Sequence, residues 1–276
     1  MVSGVLTRLA RVRVTVIYAA ALAVVTVALL VLGPDAQALV IHHASTNLHN
    51  LSRGHLATLL ASAFVVDAGP IYIWLPGLVC LLALFELMYH SVRLIVAFAV
   101  GHIGATVLVA VGLTAAVEAG VLSKSVARAD DVGMSYGAAG VLGALTGAIP
   151  RRHRAAWVGW WIGVAVAAML VERDFTAVGH AIALVLGILV STRFGPPSHW
   201  TTARRVLLVV AIGFGFLMLA DTVPIMVAAV GSGGLCAVAA GWLSAHRNSS
   251  AHASTQSERH DSGTGSSSSS PGISHS

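Results

Sequence analysis

Charge is what this chain has least of. Its 276 residues include 16 Lys and Arg and 11 Asp and Glu, so 10% are charged, where a soluble chain carries about 25%. A water-facing surface cannot be built from so few ions. With 57% hydrophobic residues and a mean hydropathy of +0.84, the chain reads as a polytopic membrane protein. Cysteine is nearly absent. Cys80 and Cys236 both lie in apolar stretches, so no disulfide framework is expected. His42, His43, His49 and His55 lack Cys or paired carboxylates at ligand spacing, so that stretch reads as a solvated loop, with no metal and no cofactor. The net charge of +5 does not point to nucleic acid, because the arginines cluster at the ends of apolar segments.

What is present is a series of apolar windows of membrane length. Arg8, Arg11 and Arg13 precede an apolar run from Val14 to Leu32, longer than a signal-peptide core, so a retained span is expected near 13–33. Residues 34–70 are too polar to cross, and Leu56 to Val66 suits a short re-entrant or interfacial helix. Further spans are expected near 71–89, 94–117, 132–149, 155–172 and 176–193, with a last pair near 206–220 and 223–243, broken by Asp221 and Pro224. Trp157, Trp160 and Trp161 are expected at the inner interface of the fifth span. From Ser244 the chain turns to Ser, His, Gly and Asn, a composition that predicts disorder. The expected division is a cytoplasmic N-terminus at 1–12, a membrane core at 13–195, an additional pair of spans at 196–243 and a tail at 244–276.

Eight spans with both termini in the cytoplasm place most arginines inside, including the cluster Arg151, Arg152 and Arg154. Asp35, Asp67, Glu118, Asp130, Asp131, Glu172, Asp174 and Asp221 then fall outside. This is the positive-inside pattern of a multi-pass protein, here expected in the plasma membrane.

The stretch from Asp130 to Pro150 draws attention because it is apolar, yet carries Ser135 between Gly133 and Gly137 at its outer end. Gly140, Gly143 and Gly147 follow, leaving a helix face almost bare of side chains. The later span holds His180, with Gly179, Ala183, Gly187 and Ser191 at intervals of four. Both spans run from outside to inside, and Ser135 and His180 each lie about one turn in, so the two are expected at similar depth. Small residues on both allow close contact. A serine hydroxyl becomes a nucleophile when a neighbouring base takes its proton, and neutral histidine is the usual base. Gly133-Met-Ser-Tyr-Gly137 also matches the Gly-x-Ser-x-Gly elbow of α/β-hydrolases, but that motif needs a strand before it. Asp130 and Asp131 are expected to cap the serine span, and the Ser135 amide is a candidate oxyanion donor. His102, between Gly101 and Gly104, is expected nearer the inner half of its span and far from this pair in depth.

These residues resemble the rhomboid intramembrane serine proteases. Gly133-Met134-Ser135 stands where that family has its Gly-x-Ser motif, in the fourth helix, and Gly179-His180 where it has a histidine, in the sixth. Leu84-Phe-Glu86 followed by Arg93 is similar to the end of the family's second helix, and the polar loop after the first span to its membrane-dipping loop. The resemblance covers roughly residues 10 to 195. It implies an all-α polytopic membrane protein with a rhomboid-like six-helix core, plus an extra C-terminal pair of helices. It further implies a Ser135–His180 dyad that cleaves transmembrane protein substrates in the lipid bilayer, with Gly133 and Gly137 supporting the motif and Gly179, Ala183 and Gly187 packing the helices. The family's second-helix histidine and asparagine are missing, since no His-x-x-x-Asn occurs between 71 and 89, nor is its first-loop Trp-Arg pair present. That departure defines the alternative, a rhomboid-fold pseudoprotease that binds membrane protein clients without cutting them.

Overall fold

The computed structural model describes residues 9–33, 35, 37–40, 58–65, 71–123 and 134–264, and among these there is no strand. The elements are α1 (Arg13–Leu32), a short α2 (Thr58–Ala61) continuing into a 3-10 turn (Ser62–Phe64), α3 (Ile71–Glu118), α4 (Ser135–Ala144) closing in a 3-10 turn (Leu145–Gly147), α5 (Arg151–Glu172), α6 (Phe175–Ser191), α7 (Thr202–Leu219) and α8 (Val223–Thr264). Arg13–Leu32, Trp74–Glu118, Arg151–Glu172, Thr202–Leu219 and Val223–His246 are long and apolar enough to cross a membrane. The all-helical membrane architecture is thus the one the apolar windows predict.

At 48 residues, α3 would extend about 70 Å if straight, over twice the hydrocarbon thickness. It is interrupted at His90, whose φ of 68° and ψ of 165° lie in a region normally reserved for glycine. A non-glycine residue held there costs about 1–3 kcal/mol. The bend separates two arms, close to the two spans expected at 71–89 and 94–117. Glu86, 1% exposed, sits four residues before it. Its carboxylate accepts from Val14 N at 3.1 Å, Thr15 N at 2.9 Å, the Thr15 hydroxyl at 2.8 Å and the Ser91 hydroxyl at 2.6 Å. The first N–H groups of a helix have no partner within it. Val12 offers α1 no side-chain cap, and Glu86 satisfies those donors from a different helix.

The centre of the bundle is α4, in which every residue from Tyr136 to Ala144 is buried. Lipid tails are as apolar as the helices, so close packing has to substitute for a hydrophobic drive between them. Glycine provides that closeness. A Cβ on Gly101 of α3 would lie 2.7 Å from the Gly140 Cα. One on Gly143 would strike the Leu184 carbonyl, and one on Gly187 the Gly140 carbonyl. One on Gly147 would come within 3.4 Å of the Ser191 carbonyl. The contacts 136/179, 143/184 and 147/191 run in the same order along both helices, so α4 and α6 lie parallel and nearly backbone to backbone.

The last two helices belong to the same bundle. A Cβ on Gly159 would strike the Cys236 carbonyl, one on Gly163 would meet Ser232 O at 2.6 Å, and the Ser232 hydroxyl donates to Gly163 O at 2.8 Å. Thus α8 rides on the glycines of α5. Helix α7 fits between others: Phe214 lies over Gly77 of α3, and Gly215 faces Leu142 of α4 and Trp161 of α5. Trp161 is 1% exposed, and the indole nitrogens of Trp157, Trp160 and Trp161 are buried in this packing.

Helix carbonyls left open at the arginine-rich end are closed by the segments that follow. Arg154 donates to Gly147 O at 3.0 Å and Ile149 O at 3.2 Å. Ser198 N donates to Met88 O at 3.0 Å, Trp200 Nε1 to Ala148 O at 3.2 Å and Arg204 to Leu87 O at 3.0 Å. At the other end of the chain, α8 stays helical to Thr264, beyond the expected start of a disordered tail at Ser244. No proline or glycine interrupts the stretch from Trp242 to Ser262, so nothing in the backbone chemistry stops the helix where its apolar part ends.

Candidate active site

Ser135 is the first residue of α4 and is half-buried. It stands at the helix start rather than one turn in, because α4 spans only Ser135–Ala144 and the 3-10 turn to Gly147. These 13 residues cover about 20 Å, short of the roughly 30 Å apolar core, so α4 is too short to cross it alone. Met134 holds the N-cap position without a side-chain bond. The expected caps Asp130 and Asp131, and Gly133 of the motif, lie outside the described residues. Gly137 admits the Phe98 ring from α3, which a Cβ there would strike.

His180 is in the second turn of α6, whose start is set by Asp174 accepting from Ala177 N at 2.8 Å. Gly179 lets Tyr136 in: a Cβ at that position would overlap the phenol ring. Tyr136 therefore reaches His180, and their rings meet edge to face, centroids 5.3 Å apart at 85°. Nε2 of His180 is buried without a hydrogen-bond partner among the described residues. No hydrogen bond links Ser135 to His180. The parallel packing thus brings these two helix starts together, and Tyr136 of α4 contacts the imidazole. Ala183 and Ala139 pack with Tyr136 and with Ala105 of α3, and Met218 of α7 packs against them.

His102 also belongs near this contact. A Cβ on its neighbour Gly101 would lie 2.8 Å from Tyr136 O, so the expected separation in depth does not hold. His102 is 4% exposed, and its Nε2 lies 3.0 Å from Leu59 O and 3.1 Å from the Ser62 hydroxyl. A carbonyl only accepts, so the first contact requires the proton on Nε2. The Tyr18 hydroxyl donates to Ala63 O at 2.6 Å. Together His102 and Tyr18 tie residues 59–63 into the bundle, which gives the expected short helix after the first span a buried position. The loop residues His42, His43, His49, His55 and Asn50 lie outside the described residues. Among the described residues, no group of His, Cys, Asp and Glu is arranged to hold a metal.

In the sequence Tyr136 stands out only as the residue after Ser135 in the Gly133–Gly137 motif. The signal that could have found its contact is the register: with small residues at Gly179 and Ala183, the large ring at 136 has a gap opposite it. The family model for rhomboid-like proteins matches residues 8–193. No curated protein and no solved structure matches the chain.

Proposed function

For a chain that belongs to the rhomboid-like protein family, we propose a role in holding transmembrane segments of client proteins rather than cutting them. The observation that carries this reading is the Tyr136 ring beside His180, with the buried Nε2 left unpartnered among the described residues. A serine needs its base within hydrogen-bond reach to become a nucleophile, and here the phenol ring takes the contact. The absence of a His-x-x-x-Asn pattern between 71 and 89 removes two donors of the kind that would hold an oxyanion. In this proposal residues 13–195 form the client-binding core, the pair at 196–243 is docked on it, and both termini face the cytoplasm from the plasma membrane.

A second reading, an intramembrane serine endopeptidase, is favoured by the nearness of the two helix starts that carry Ser135 and His180. There Ser135 Oγ would attack the scissile carbonyl. His180 would take the proton and return it to the leaving amine, while the Ser135 amide would steady the oxyanion. The two readings part in liposomes carrying a transmembrane reporter peptide with a photo-crosslinker. Client binding predicts a crosslinked adduct with intact reporter and no fragments. Fragments that disappear in both Ser135→Ala and His180→Ala would establish the endopeptidase, and absence of adduct and fragments alike would contradict client binding.

A further inference from the structure

At the arginine-rich end of the bundle, a cavity of about 420 Å³ opens between the start of α1, the bend of α3 and the start of α7. Three arginines from two distant parts of the chain line it, Arg11, Arg13 and Arg204. Each is already accounted for differently. Arg204 spends its donors on Leu87 O and His199 O. Arg13 makes one long contact, 3.4 Å, to the Ser91 hydroxyl. Arg11 bonds to no other described residue. The single acidic lining residue, Glu86, already accepts from Val14, Thr15 and Ser91. The cavity is therefore cationic, with unspent donors. His90, the residue in a glycine-type backbone conformation, is also on its wall, and backbone strain of this kind gathers at ligand clamps.

We propose that this cavity binds the phosphodiester headgroup of an anionic phospholipid. Its volume equals about fourteen waters, well beyond a bare phosphate. The helices that border it turn large apolar side chains outward within their first turns: Ile17 on α1, Val92 and Ile95 on α3, Val206 and Val209 on α7. A headgroup held by the arginines would leave its acyl chains against those residues. A soluble anion would gain nothing from them. On the positive-inside orientation this end faces the cytoplasmic leaflet, where anionic lipids lie, and basic pockets between helices on that side are suited to such headgroups.

The test uses the full chain in neutral detergent, titrated with short-chain phosphatidylglycerol, with phosphatidylcholine and with inorganic phosphate. Binding is followed by native mass spectrometry and by the shift in Tm. Arg11→Gln removes a side chain that bonds to no other described residue, and Arg13→Gln provides a second variant. Arg205→Gln, the exposed neighbour of Arg204 outside the cavity, removes the same charge as a control. Phosphatidylglycerol should bind preferentially, each cavity variant should weaken it about tenfold, and Arg205→Gln should change it less than about twofold. Equal losses in Arg11→Gln and Arg205→Gln would reduce the effect to diffuse surface charge and overturn the site. Inorganic phosphate matching the lipid, or no preference over phosphatidylcholine, would overturn the lipid assignment.

Discussion

Tyr136 occupies the space that Gly179 leaves open, and so reaches the edge of His180 on the same helix. One glycine and one tyrosine thereby decide what the histidine touches. Gly179→Ala should displace the ring and destabilise the protein, and Tyr136→Ala should cost about 3–5 kcal/mol by emptying a buried site. In the double variant the added methyl has nothing left to strike, so the two effects should be non-additive by about 0.5–3 kcal/mol. Thermal unfolding in detergent of the four proteins closes the cycle. Simple additivity would mean the ring does not depend on that glycine.

Glycines of α4 and α6 should divide sharply from glycines on open faces. Gly143→Val and Gly187→Val drive side-chain atoms into the carbonyls of Leu184 and Gly140, and each should lower stability by more than about 4 kcal/mol or prevent folding. Gly112 has nothing near the position of a Cβ, and Gly112→Ala should be neutral or stabilising by about 0.5–1 kcal/mol. The readout is the fraction of monodisperse protein after extraction, followed by its Tm.

Glu86→Ala would leave two N–H groups of α1 unpaired in a buried place, together with the Thr15 hydroxyl. A loss of about 3–5 kcal/mol is expected from several charge-assisted bonds removed at once. Thr15→Val deletes one of them and should cost about 1–2 kcal/mol. Equal stability of Glu86→Ala and wild type in denaturant titration would show that α1 is capped in some other way.

His102→Ala should free the segment 59–63 from the bundle while leaving the α4–α6 contact intact. Hydrogen exchange ought to rise by about tenfold or more in residues 59–63 and stay unchanged in 137–147, since opening is local when its anchor is local. Faster exchange in both segments would mean that His102 supports the α4–α6 contact as well.

Much of this architecture could be read from the residues because the membrane restricts the options. Apolar windows and arginine clusters give the order of the spans, and the glycines of α4 and α6 give their approach, since only small residues let backbones meet. The break between the spans expected at 71–89 and 94–117 was legible, but not that His90 carries it at positive φ, because neither glycine nor proline marks the place. The outcome at Ser135 was hidden for a different reason. Adjacent helical residues point about 100° apart, so counting turns did not reveal that Tyr136, the neighbour of Ser135, meets the histidine ring. His102 was misjudged because its neighbour Gly101 packs against Tyr136 and Gly140 near the start of α4, a contact that a 132–149 apolar window does not disclose.

The most direct test of the central claim is labelling of the folded, detergent-solubilised protein with a fluorophosphonate probe, comparing wild type with Ser135→Ala and His180→Ala. If Tyr136 holds the contact with His180, Ser135 is not activated, and wild type will label no more than the Ser135→Ala background. Strong labelling of wild type that both substitutions abolish would contradict the account and establish a working serine–histidine dyad.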